Sequence, residues 1–196
     1  APVFGTNAGL SLAEISTFVA AFYIGAMVFQ FPIGWLSDRM DRRILIVATS
    51  AIGFMAALSA VVVADVFLII VGSAFFIGGM SNPLYSLLIA YTNDFLEHDD
   101  MASASGGLLF LNGLGAISGP LFTGYLMTKM GPEGFFIILA SLSGLLTVYG
   151  LYRMTQRGIS DVDTSSYATV VPTASVVAVE IAQEVAIEAA EEMNEI

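Results

Sequence analysis

Five stretches of this chain contain no Asp, Glu, Lys or Arg: Ile15–Ser37, Ile44–Ala64, Val66–Asn93, Met101–Thr128 and Gly134–Tyr152, each 19 residues or longer. Apolar runs of about 18 residues or more are long enough to cross the hydrocarbon core of a bilayer as helices. Backbone in hydrocarbon must satisfy its own hydrogen bonds, which leaves helices or a closed barrel. Barrel strands are about 10 residues long and alternate apolar with polar. These runs are longer and do not alternate, so the chain reads as an all-α integral membrane protein. Its composition agrees, with 57% hydrophobic and 12% charged residues. A soluble domain carries about 25% charged residues. The expected five-helix transmembrane domain occupies residues 11–157, with spans at about 12–37, 44–64, 66–93, 101–128 and 134–153.

The connections between spans are short, so successive helices should form antiparallel hairpins. The Lys/Arg bias of short loops sets orientation. Arg39, Arg42 and Arg43 sit in the first loop, Arg153 and Arg157 at the end of the last span, and Lys129 alone on the opposite side. The first loop and the tail are therefore expected in the cytoplasm, and residues 1–10 as the extracytoplasmic end of a preceding helix. The chain lacks a starting Met and a secretory signal pattern; it reads as an internal or processed piece of a longer protein. Ser11 with Glu14 three residues on predicts a capping box. Asp99, Asp100, Pro132 and Glu133 stand where further helices begin and suit helix N-termini. Of the net charge of −11, −8 lies in residues 158–196, an acidic and mostly disordered cytoplasmic tail. Glu180, Glu184, Glu188 and Glu192 repeat every fourth residue there, which opposes an isolated helix; a partner-binding helix is the alternative. No basic footprint for nucleic acid exists, and the absence of cysteine excludes disulfides and thiolate metal sites.

Residues 32–47, PIGWLSDRMDRRILIV, concentrate charge where positive-inside bias alone would not place acids. Read as G-x-L-S-D-R-x-D-R-R, the stretch resembles a loop signature of the major facilitator superfamily of secondary transporters. Gly34, Leu36, Asp38, Arg39, Arg42 and Arg43 match it, while Asp41 stands where that pattern has a glycine. The resemblance continues over about residues 9–155 and is similar to the C-terminal half, helices eight to twelve, of a poorly characterised bacterial branch. It implies an MFS-type six-helix half-bundle, a missing N-terminal half of the same transporter, and a cytoplasmic conformational latch made by Gly34, Asp38, Arg39, Arg42 and Arg43. A topology anchor with ordinary surface ion pairs is the plainer reading of the same loop.

Sites in such folds lie near the bilayer midplane, so polar residues inside the spans are the candidates. Asn82, Tyr85 and Ser86 share one helical face beside Pro83, which can free a carbonyl. Tyr23 and Gln30 are seven apart, as are Ser105 and Asn112. The candidate substrate cavity is therefore Tyr23, Gln30, Asn82, Tyr85, Ser86 and Asn112; helix-to-helix hydrogen bonding is the competing reading of each. Gly115 and Gly119 form a G-x-x-x-G suited to close helix contact, and Pro120 adds a hinge point. Gly72, Gly78 and Gly79 likewise read as packing surface. Asn93 and Asp94 fall at the cytoplasmic mouth, for capping or gate contacts. No ionisable residue lies deep in a span, so any proton-coupling group is expected elsewhere. The sole His98 reads as a solvated loop residue, and no metal or cofactor site is expected.

These features predict secondary active transport of an unidentified small molecule across the inner membrane by alternating access. A non-transporting membrane scaffold or receptor-like subunit that reuses the fold is the alternative. An enzyme is disfavoured, since no nucleophile–base or metal cluster falls within the spans.

Overall fold

The computed structural model describes residues 2–64, 66–96 and 98–156, together with Ile181 and Val185. The remainder of the acidic tail, and with it the disordered-tail reading, lies outside the described residues. Six helices follow one another: α1 (Pro2–Asn7), α2 (Leu12–Ser37), α3 (Arg42–Val62), α4 (Phe67–Asn93), α5 (His98–Met130) and α6 (Gly134–Gln156). Five of them, α2 to α6, are long and apolar enough to cross a membrane.

Local chemistry sets the helix ends. Gly9, at φ 71°, closes α1, with the Leu10 N–H donating to Gly5 O at 2.9 Å and the Gly9 N–H to Thr6 O at 3.2 Å. That is a Schellman ending, which needs the left-handed backbone that glycine supplies. Ser11 then caps α2: its Oγ accepts from Glu14 N at 3.3 Å, and its own N–H donates to Glu14 Oε2 at 2.8 Å. Asp41 caps α3 by accepting the Arg43 N–H at 2.9 Å. This cap starts α3 at Arg42, two residues before the apolar run that predicted it. The fourth span likewise starts earlier than its apolar run, at His98, and continues through Pro120 to Gly131, at φ 83°.

Loops between successive spans are short, yet α2 and α3 scarcely touch. Helix α2 packs chiefly on α4, and α3 on α4 and α6. Glycine makes the α2–α4 approach possible. A Cβ at Gly25 would run into the carbonyl oxygen of Phe75, and one at Gly78 into that of Phe22; one at Gly79 would meet the Phe29 ring. The packing role expected of Gly78 and Gly79 is therefore met within this chain, whereas nothing lies within 4 Å of a Cβ at Gly72. Between α3 and α4 the seam is filled by Ala57, Ala60 and Ala74, each 1% exposed or less, and crossed by a Ser59–Ser73 hydroxyl contact of 3.0 Å. Small residues and single hydroxyl bonds suit helices that gain little from burying apolar surface in lipid. Short α1 is tied in by Phe4, whose ring meets Phe136 edge-on at 4.9 Å and Phe18 at 5.5 Å.

Helix α5 is the exception. Among its described residues only Ser105 and Met127 are buried, one near each end. The middle of α5, with Gly113, Gly115, Gly119 and Pro120, is covered by no other described part of this chain.

Candidate functional site: a buried arginine where three helices meet

The charged loop between α2 and α3 does not act as one cluster; each arginine has its own surroundings. Arg42, the first residue of α3, is 1% exposed. Its Nε donates to Ser37 Oγ at 3.2 Å, at the end of α2, and its Nη1 donates to Ala90 O at 3.1 Å, in the last turn of α4. The same nitrogen ion-pairs with the carboxylate of Asp94, the C-cap of α4. Asp38 stands 3.9 Å away and its side chain is 44% exposed. One guanidinium thus joins the ends of α2, α3 and α4. It also lies against the last carbonyls of α4, where the helix dipole favours a cation. Guanidinium suits this position because its planar fork serves several acceptors at once and keeps its charge when buried.

Arg43 turns the other way and pairs with Asp41, Nη2 to Oδ2 at 2.8 Å. Burial disfavours ionised Asp41, but hydrogen bonds from the Arg43 side chain and backbone N–H, with its charge, outweigh that and lower the carboxyl below its ordinary 3.8. Asp41 has φ −56° and no residue from Asp38 to Asp41 takes a positive φ, so the turn does not need the glycine of the family pattern. Arg39 is exposed, stacked 4.2 Å over the Trp35 ring, and donates to Trp35 O at 3.1 Å. Gly34 is buried in α2 and its carbonyl accepts the Asp38 N–H at 3.3 Å. Of the five residues expected to form a latch, the structure brings Asp38 and Arg42 together and sends Arg39 and Arg43 elsewhere. Ser37 is a partner that sequence reasoning missed, and Asp94, expected there to make capping or gate contacts, was not paired with Arg42. Asp94 lies 52 positions from Arg42; the available signal was an acid closing a span on the same side as the loop.

The mid-span candidates divide into two regions. Tyr23 lines a groove of about 580 Å³ between α1, α2, α4 and α6, where Phe18, Phe22, Ala74, Ile77 and Phe135 make an apolar wall and Ser81 adds a hydroxyl. Tyr85 instead packs with Ile89 of α4 and Leu108 of α5. Ser86 is buried, Gln30, Asn82 and Asn112 are half-buried, and Ser105 is 4% exposed. A Cβ at Gly115 or Gly119 would have nothing within 4 Å, so the G-x-x-x-G makes no close contact among the described residues. The described residues hold no group of three or more metal-ligating side chains.

The family model described as Major Facilitator Superfamily matches residues 1–178. The chain belongs to the major facilitator superfamily. It is 33% identical over 153 residues to the uncharacterised MFS-type transporter YfkF of Bacillus subtilis, covering 74% of this chain and 37% of that protein. It is 30% identical over 145 residues to the uncharacterised MFS-type transporter YcaD of Escherichia coli, covering 72% of this chain and 36% of that protein. This superfamily member thus spans little more than a third of the length of the curated relatives it matches. Membership and five membrane-length helices make it a multi-pass membrane protein of a transporter family. The Arg42 joint then lies in the segment whose motif first suggested that family.

Proposed function

We propose that this chain is the C-terminal part of a secondary transporter that moves a small molecule across the cytoplasmic membrane by alternating access. The loop that holds Arg42 and the tail would face the cytoplasm. The observation that carries this reading is the burial of Arg42 against Ser37, Ala90 O and Asp94. Taking a cation out of water is costly, and it is tolerated where good geometry and further hydrogen bonds compensate. Such a joint holds firmly in one arrangement of helix ends and loosens when they part, which is the behaviour of a two-state latch. Asp38, half in solvent, would be its exchangeable partner. The mid-span polar residues Tyr23, Gln30, Asn82, Tyr85, Ser86 and Asn112 would line the path of a solute recognised by hydrogen bonds, since none of them is charged.

The test uses the full-length protein in inside-out vesicles and a flux screen of candidate solutes. Arg42→Met should abolish flux while insertion persists. Normal flux in that variant would remove the latch. Asn82→Cys and Asn112→Cys should react with aqueous thiol reagents; inertness of both would remove the cavity face. Reporter fusions after Asp41 and after Arg157 should both report cytoplasm.

A further inference from the structure

Two polar atoms of α4 are buried without a hydrogen-bond partner among the described residues: Tyr85 Oη and Asn93 Oδ1. Tyr85, Ile89 and Asn93 are spaced by four, so they lie along one stripe of the helix. Leu108 of α5 packs on that stripe at Ile89, and Ser105, 4% exposed, stands one turn nearer the start of α5. Asn93 is itself 6% exposed. Inside a bilayer an unpaired polar group is costly, and such groups face a neighbouring helix, a cavity or water.

The walls of this seam differ. Helix α4 is fixed at its end, because Arg42 holds Ala90 O and Asp94. Helix α5 is held lightly, with no described residue buried between Ser105 and Met127. A fixed wall carrying two orphan polar atoms and a lightly held wall opposite can part without disturbing the core.

We propose that the α4–α5 seam is a water-accessible crevice, running inward from the membrane face where α4 ends and α5 begins to Tyr85, in which water donates to Asn93 Oδ1 and bonds Tyr85 Oη. It rests on the transport reading above and gives the route by which one side of the membrane reaches the path. Ile89, between the two polar groups, is the apolar constriction of that route.

The experiment is thiol accessibility in the full-length protein with any cysteines outside this chain replaced; residues 1–196 contain none. Tyr85→Cys, Ile89→Cys and Asn93→Cys are each labelled with a membrane-impermeant methanethiosulfonate added from the side on which α4 ends and α5 begins. Leu87→Cys is the control, since Leu87 is fully buried among α2 and α3 residues. All three stripe positions should react, at rates falling from 93 to 85, and position 87 should not. Adding Asn93→Leu should dry the seam and abolish labelling at Tyr85→Cys; Asn93→Ala, as a second variant, should leave it labelled. Inertness of Tyr85→Cys and Ile89→Cys, while Asn82→Cys and Asn112→Cys still react, would overturn the crevice and leave the transport reading standing. Inertness of all of them would overturn the crevice and remove the cavity face as well.

Discussion

Replacing Arg42 with Met tests the joint most directly. The substitution keeps length and removes every donor. Asp94, with a side chain 9% exposed, loses its counter-charge, and Ala90 O and Ser37 Oγ lose donors at 3.1 and 3.2 Å. Breaking a buried ion pair from one side costs about 3–5 kcal/mol, mostly from the charge left behind. Asp94→Asn should cost somewhat less, because an amide still accepts from Arg42. Asp38→Asn should cost about 0–1 kcal/mol, the range of an exposed pair; Asp38 is 3.9 Å away and 44% exposed. The double variant Arg42→Met/Asp94→Leu should recover most of the loss, since apolar side chains of similar volume often replace a buried pair without penalty. Thermal unfolding of detergent-purified protein, read by fluorescence-detected size exclusion, gives the ranking. Equal losses for Asp38→Asn and Asp94→Asn, or a double variant no better than Arg42→Met, would refute the assignment of Asp94 as principal partner.

Gly78→Ala should destabilise by about 1–3 kcal/mol through overpacking against the Phe22 carbonyl, seen as lower thermostability. Gly115→Ala should be tolerated and gain up to about 1 kcal/mol of helix propensity; a clear loss in the full-length protein would show that another part of it packs there. Ser11→Ala should cost about 1 kcal/mol by removing the α2 cap. The Asp41 carboxyl is lowered from 3.8, so its contribution to stability is complete above that value and fades as pH falls through the lower folded one. A stability-versus-pH curve should therefore show an acid limb below pH 3.8 that Asp41→Asn flattens.

The spans were legible because each is a run with no charge, and the start of α2 because its cap is local, Ser11 with Glu14; the glycine endings at Gly9 and Gly131 were not read from the sequence. Which helices touch was not legible. Contacts between α2 and α4 rest on Gly25, Gly78 and Gly79, and a glycine that admits a neighbour's backbone looks in sequence like Gly72, where an added Cβ would meet nothing within 4 Å. The site divided in the same way. The motif pointed to the loop that holds buried Arg42, but it weighted Asp38, Arg39, Arg42 and Arg43 alike. Only burial separates Arg42 from the rest, and burial depends on where α4 ends. Asp94 lies too far along the chain for spacing to pair it with Arg42. Tyr23 and Tyr85 both sit mid-span, yet one opens on the α2–α4–α6 groove and the other on α5, a difference set by helix rotation.

Helix α5 resembles a lightly held beam, with no described residue buried between Ser105 and Met127. Small displacements near Ser105 and Met127 would bend the stretch from Gly113 to Pro120 sideways. Among the described residues of that stretch none is buried. Bending resistance there is lowest too, since Pro120 removes one rung of the backbone ladder. Motion at the membrane faces would thus be converted into lateral movement at mid-bilayer depth.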